Sequence, residues 1–237
     1  MLELHNIAVN FGGVAALSGV TFNVAAGETV GLVGPNGAGK TTLFNIISGV
    51  VKPTEGRIVF DGGLLSNEPN YARAKRGVGR SFQVPQPMHD LTVRENLIVA
   101  QKFGAGFTNL ERIDEILSIL SLSDKAHSDA ATELALTEQK ALEVGKALAT
   151  DPKLLLLDEV LAGLETATKR AFMETIATVR DAFGLTVVVI EHDIETISKL
   201  CPRVVVLNFG QIIADGTPEA VFNDPEVIRS YTGEAAA

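Results

Sequence analysis

A chain of 237 residues has room for one large α/β domain or two small ones, and an apolar share of 46% with no low-complexity tract marks it as globular, with a sizeable core. The net charge of −9 argues against a nucleic-acid partner, because neutralising a phosphate backbone takes clustered Lys and Arg. A single cysteine, Cys201, excludes an internal disulfide, and the longest aliphatic runs, Leu154–Leu157 and Val204–Leu207, fall far short of the ~20 residues that span a bilayer. Any membrane role is therefore expected to be peripheral. The N-terminus, MLELHNIAVNF, lacks the basic-then-apolar pattern of a secretory signal. Cys201 stands between Leu200 and Pro202 without metal-ligand spacing and reads as a buried small residue.

Residues 2–9 and 20–24 alternate apolar and polar side chains around Gly12-Gly13, which predicts an antiparallel hairpin. Phe11 precedes that turn, about 30 residues before Lys40; its ring could stack on an adenine or pack in the core, and spacing alone leaves both open. An apolar strand, Thr29–Val33, then runs into Gly34-Pro35-Asn36-Gly37-Ala38-Gly39 and a helix over Lys40–Ser48 that Gly49 stops. Arg57–Asp61 reads as a further strand closed by Gly62-Gly63, and residues 64–77 as polar and irregular. The one basic cluster, Arg73, Lys75, Arg76 and Arg80, reads as a solvated helix face.

Val78–Gln83 predicts a short strand leading into Val84-Pro85-Gln86-Pro87, where two prolines forbid regular structure. Beyond it the hydrophobic period changes from 2 to 3.6. Thr92 with Glu95, and Thr108 with Glu111, have capping-box spacing, and Ile113, Ile116, Leu117 and Leu120 line one helix face. Residues of about 90–150 thus read as a helical insertion within one domain, between α/β portions 1–89 and 151–237, since no linker bounds it. Strand character returns at Lys153–Leu157, an apolar run ending in Asp158-Glu159; a helix follows over Thr166–Ala182, and the buried strand Thr186–Ile190 ends in Glu191-His192-Asp193. Val204–Leu207 and Gln211–Ala214 form a last hairpin, and Thr217-Pro218-Glu219 opens a short helix. The fold expected is α/β, a P-loop NTPase core of mostly parallel sheet with helices, carrying an N-terminal antiparallel β-subdomain and an inserted α-helical subdomain.

The chemistry starts from Gly34 to Thr42, which spell G-x-x-x-x-G-K-T between a strand and a helix. Glycines let backbone N–H groups wrap a polyphosphate, and the helix start adds the positive end of its dipole. Lys40 is placed to reach the β- and γ-phosphates, Thr41 to ligate Mg²⁺, and Thr42 continues the helix start. A nucleoside triphosphatase also needs a carboxylate near the metal and a group that activates water. Asp158 suits the Mg²⁺ shell and Glu159 the general base. His192, at a strand end, suits contact with the γ-phosphate, and the Gln83 amide oxygen suits the metal or the water.

In order and spacing these pieces resemble the ATP-binding subunits of ABC transporters over essentially the whole chain. Phe11 matches the adenine-stacking aromatic, Gly34–Thr42 the Walker A loop, Gln83 the Q-loop, Leu154–Glu159 the Walker B strand with its glutamate, and His192 the switch histidine. Within that family, GRSFQ (79–83), LTVRENLIVA (91–100), DEVLAGL (158–164), IEHDI (190–194) and the stretch 207–234 look like branched-chain amino acid importers, and most like the longer of their two ATPase subunits. Residues 207–234 run close to the C-terminus and leave no room for the regulatory domain that some sugar-importer ATPases carry.

The resemblance implies ATP and Mg²⁺ as cofactors. It also implies a head-to-tail dimer with a second ABC ATPase subunit, identical or different, in which each ATP lies between one Walker A loop and the other subunit's signature. Integral-membrane permease subunits, contacted near Pro85, Pro87 and Met88, and indirectly a solute-binding protein complete the implied set of partners, at the cytoplasmic face of the membrane. Two departures stand out. The signature, usually Leu-Ser-Gly-Gly-Gln, is Leu134-Ala135-Leu136-Thr137-Glu138, and Glu165 replaces the aspartate of the D-loop. Thr137 reads as the cap of a helix beginning near Glu138, and Leu136, Thr137 and Glu138 as the residues offered to the partner's nucleotide. Two rivals to a transport motor stand: a regulatory subunit of low turnover, motivated by the altered signature, and a soluble ABC ATPase serving assembly or ribosome-linked work. The second of these usually has tandem domains, a coiled coil or basic extensions.

Overall fold

In a computed structural model that describes residues 1–232, the first alternating segment forms β1 (Leu2–Phe11), antiparallel to β2 (Val14–Val24), with Phe11 opposite Val14. The buried positions switch phase along β1, from Leu2 and Leu4 to Ile7 and Val9. Asn6, at φ 52°, takes up the extra residue at a register shift, so both halves keep their apolar side chains on the buried face. β3 (Thr29–Val33) is buried at every position, as a strand covered on both faces must be. α1 (Lys40–Ser48) ends at Gly49, whose φ of 81° is a left-handed cap. β4 (Glu55–Phe60) pairs with the other edge of β1, and β5 (Gly63–Leu64) completes a sheet of order β2-β1-β4-β5.

Here the chain passes from one compact unit, Met1–Asn70 plus the residues from Thr186 onward, to a second, Tyr71–Leu185. The expected irregular stretch holds a helix, α2 (Asn70–Lys75), and the expected solvated basic face is only partly present, with Lys75 exposed and Arg76 half-buried. Arg73 is fully buried and the Arg80 side chain nearly so, because a long aliphatic stem can carry a guanidinium inward when an acceptor waits there. β6 (Val78–Arg80) ends three residues earlier than its sequence suggests and runs parallel to β7 (Leu154–Asp158), with Arg80 opposite Leu156. α3 (Val93–Gly104) opens on the expected Thr92–Glu95 capping box. α4 (Leu110–Ile119) is capped by Asn109, which accepts from Arg112 N–H, and not by Thr108. Asparagine is the stronger N-cap, so the helix starts one residue later.

α5 (Leu136–Ala149) crosses α3 and α4 at Gly145, where an added Cβ would lie 2.9 Å from Leu120 Cδ1 and 3.0 Å from Leu97 Cδ2. α6 (Thr166–Phe183) buries Phe172, Ile176 and Val179, a 3.6-residue stripe.

Returning to the first unit, β8 (Thr186–Ile190) lies parallel to one side of β3 and β9 (Arg203–Asn208) parallel to the other, while β10 (Gln211–Gly216) closes a hairpin with β9. Within this unit the order is β10-β9-β3-β8, so the strand that feeds the glycine-rich loop is central. Between β8 and β9 stands α7 (Ile194–Leu200), and the described chain ends in α8 (Pro218–Phe222), capped by Thr217, and α9 (Pro225–Thr232). Cys201 is buried as expected, and burial, with the charge of Glu191 adding to it, pushes its thiol up to about 12. No helix of the described residues is long and apolar enough to cross a membrane.

Candidate active site

The first unit builds the glycine-rich loop from the end of β3. Gly34 has a φ of 148°, and a Cβ there would lie 1.9 Å from the Leu207 carbonyl oxygen of β9, so no side chain fits. A second support comes from the β9–β10 turn: Gly210 N–H donates to Ala38 O at 2.9 Å, and its carbonyl accepts from Ser18 N–H at 2.8 Å. Gly39 caps α1 with no side-chain acceptor, and no acidic residue occupies the first turn, which leaves the helix start electropositive. Lys40 is buried, its Nζ donating to Gly34 O at 2.7 Å and Pro35 O at 3.0 Å. Asn36, Gly37 and Thr41 are exposed, while Pro35 and Thr42 are half-buried.

Gly34→Ala combines left-handed strain, about 1–3 kcal/mol, with a backbone collision at Leu207. A total near 3 kcal/mol lowers the melting temperature by about 6–12 °C in a chain of this size. The variant is also expected to lose the thermal stabilisation that ATP confers; calorimetry with and without ATP reads both, and an unchanged melting profile contradicts the packing described.

Phe11 is 51% exposed at the end of β1, which excludes core packing and leaves its ring open to stacking. His192 is exposed where β8 ends, between buried Glu191 and Asp193, whose carboxylate caps α7 by accepting from the N–H groups of Glu195 and Thr196.

The second unit holds the carboxylates. Asp158 ends β7 with its side chain 6% exposed, and its Oδ2 accepts from Arg80 Nη2 at 2.9 Å. Glu159 turns out of the strand at φ 50°, and its Oε2 accepts from Gln83 Nε2 at 2.5 Å. The backbone of that turn is held from α5, where buried Lys140 donates to Glu159 O at 3.4 Å and Val160 O at 3.2 Å. The structure thus brings Gln83 to Glu159 through the amide nitrogen, and adds Arg80 and Lys140, which the sequence reading missed. Only the position of Arg80 at the end of the strand before Gln83 could have flagged it.

The signature differs from expectation at its cap. α5 begins at Leu136 with Ala135 as N-cap, and Thr137 does not cap it. Glu138 explains the shift: its carboxylate reaches back to accept from Ala135 N–H at 2.8 Å, so the helix starts two residues earlier. Leu136, Thr137 and Glu138 form the first turn, with the Leu136 side chain half exposed. Farther along α5, Glu143 accepts from Gln86 N–H at 2.7 Å while Lys146 donates to Gln86 O at 2.6 Å and pairs with Glu143 at 2.5 Å.

Residues 17–162 match a family model described as ABC transporter, and residues 211–237 one described as branched-chain amino acid ATP-binding cassette transporter. The chain belongs to the ABC transporter family. It is 36% identical to the high-affinity branched-chain amino acid transport ATP-binding protein BraF of Pseudomonas aeruginosa, over 99% of this chain and 98% of that relative. Identity is 35% to the lipopolysaccharide export system ATP-binding protein LptB of Haemophilus influenzae, again over 99% and 98%. Among solved structures, the ADP conformation of MJ1267, an ATP-binding cassette of an ABC transporter, superposes with a TM-score of 0.89 at 32% identity, covering 99% of both chains. This ABC chain is an ATP-binding ATPase, and its α/β P-loop fold is the one expected.

Proposed function

We propose that this ABC ATPase energises uptake of branched-chain or related amino acids. The carrying observation is the match of residues 211–237 to a model of that transporter class, because full-length identities of 36% to BraF and 35% to LptB do not choose between cargoes. The whole chain acts as one ABC-type domain, with residues of about 90–150 as its helical insertion.

Each role follows from chemistry already described. Phe11 stacks on adenine; the backbone of Gly34 to Gly39 and the start of α1 cradle the phosphates, and Lys40 leaves its loop carbonyls to face the β- and γ-phosphates. Asp158 and the Thr41 hydroxyl suit Mg²⁺, a hard cation that takes one or two carboxylates and fills its other positions with phosphate oxygens and water. Bound with ATP, Mg²⁺ neutralises charge on the transferred phosphoryl group. Glu159 accepts the proton of the attacking water, Gln83 orients that carboxylate, and His192 contacts the γ-phosphate. The subunit works peripherally at the cytoplasmic face, paired with a second ABC ATPase and seated on integral-membrane permeases that a solute-binding protein supplies.

Co-expression with integral-membrane permeases and a solute-binding protein from the same source, followed by reconstitution into vesicles, tests this reading. ATP-dependent accumulation of labelled leucine, isoleucine or valine is expected. Failure to co-purify with a permease, or a complex that moves none of these amino acids, overturns it. Ala135, Leu136 and Glu138 motivate one rival, a regulatory subunit of low turnover, which predicts that the reconstituted complex lacks steady-state ATPase.

A further inference from the structure

β6 and β7 run parallel with Arg80 opposite Leu156, so Arg80, Leu156 and Asp158 share one face of this strand pair. From there the Arg80 guanidinium reaches along the face to Asp158 Oδ2 at 2.9 Å, with both side chains under a tenth exposed, at 7% and 6%. The neighbouring Ser81 hydroxyl accepts from Asp158 N–H at 3.3 Å and donates to Leu156 O at 3.5 Å, which fixes the strand end carrying the carboxylate. The guanidinium also lies over the Phe82 ring, 5.2 Å from its centroid, and that ring is 52% exposed.

A buried carboxylate is costly to leave charged without nearby positive charge, and arginine stays protonated at any physiological pH. A divalent cation at the same carboxylate adds two positive charges beside the guanidinium. We propose that Arg80 is a counter-cation of Asp158 and competes with Mg²⁺ for its carboxylate. Metal loading then requires the guanidinium to give up part of its hold, while the Phe82 ring that it already lies over keeps a seat for it. Free Mg²⁺ meets a carboxylate already claimed. Mg²⁺ arriving with a nucleoside diphosphate or triphosphate brings phosphate negative charge that offsets the crowding, so the pair favours metal bound together with nucleotide over metal alone.

This inference rests on Asp158 as the metal ligand, and the experiment separates the two. In full-length protein saturated with ADP, Mn²⁺ titrations followed by electron paramagnetic resonance give the metal dissociation constant without reference to turnover. Arg80→Met removes the charge and keeps much of the stem; it is expected to bind Mn²⁺ about tenfold more tightly, an ordinary size for coupling between two bound groups, while the metal-free protein melts lower. Arg80→Lys retains a cation and is expected to stay near the native value. Asp158→Asn is expected to weaken Mn²⁺ binding. If it does not, the metal-ligand assignment fails and the proposal with it; if it does, and Arg80→Met binds Mn²⁺ no more tightly than the native chain, the competition alone is refuted. A measurement on the native sequence covers a Met variant that does not fold. The Arg80 Nε–H resonance, assigned by its loss in Arg80→Lys, is expected to move when Mg²⁺ is added to the ADP complex, and a resonance that stays in place rejects the proposal.

Discussion

Glu159→Gln is expected to keep ATP binding and to lower steady-state turnover by about 10²–10⁴, the range that general-base catalysis contributes. The amide is nearly isosteric with the carboxylate but cannot take a proton from the attacking water. The substitution is expected to leave the local backbone intact, since Lys140 holds the left-handed turn at Glu159, φ 50°, through main-chain carbonyls that it does not alter. What it changes is the 2.5 Å contact with Gln83 Nε2, which becomes amide to amide. Phosphate release measures turnover, and the ATP-dependent rise in melting temperature measures binding, as expected for a ligand selective for the folded state. Near-normal turnover would remove Glu159 from the role of base.

The second large effect concerns unequal sites. In a dimer with a different ABC ATPase of intact signature, Lys40→Ala is expected to slow turnover at least about tenfold more than the equivalent change in the partner, given 10²–10⁴ for loss of one catalytic function. The reason lies at the start of α5. Ala135 has no hydroxyl, Leu136 sets a half-exposed bulky side chain where bare backbone is usual, and Glu138 carries a negative charge in the first turn. That carboxylate already takes the Ala135 N–H, so one donor of the helix start is engaged within the chain itself. The site completed by this signature is therefore expected to be the weaker one, and the site built on Gly34 to Thr42 to do most of the work. Mixing subunits with one lysine disabled at a time decides the matter: equal slowing from either side, or brisk hydrolysis by this chain alone as a homodimer, contradicts the asymmetry.

What could be read beforehand divides along a physical line. Lys40–Ser48 matches its helix residue for residue because the motif needs a helix start at Lys40 and Gly49 can adopt the left-handed stop; the buried strand Thr186–Ile190 was legible for the same kind of local reason. The Thr92–Glu95 box was legible too, but its look-alike at Thr108 lost to Asn109, a competition between neighbours that spacing does not weigh. At Thr137 the competitor was a glutamate reaching backwards. Arg73 and Arg80 were the largest misreading, since a run of charge carries no record of burial. The acceptor for Arg80 sits 78 residues away in sequence, and only the parallel pairing of β6 with β7 brings it near.

The double grip on Gln86 has a mechanical meaning. Both backbone groups of this residue, N–H and C=O, are tied to an ion pair one turn apart on α5, so the proline-flanked segment cannot slide along the helix or peel from it without breaking two charge-assisted bonds together. A short extended segment stiffened by Pro85 and Pro87 and bolted at one point transmits a push and does not absorb it. Force applied to residues 84–88 is delivered to Glu143 and Lys146, and through the rigid rod of α5 to its first turn at Leu136. Displacement at one end of this linkage therefore becomes displacement at the other, with little slack between them.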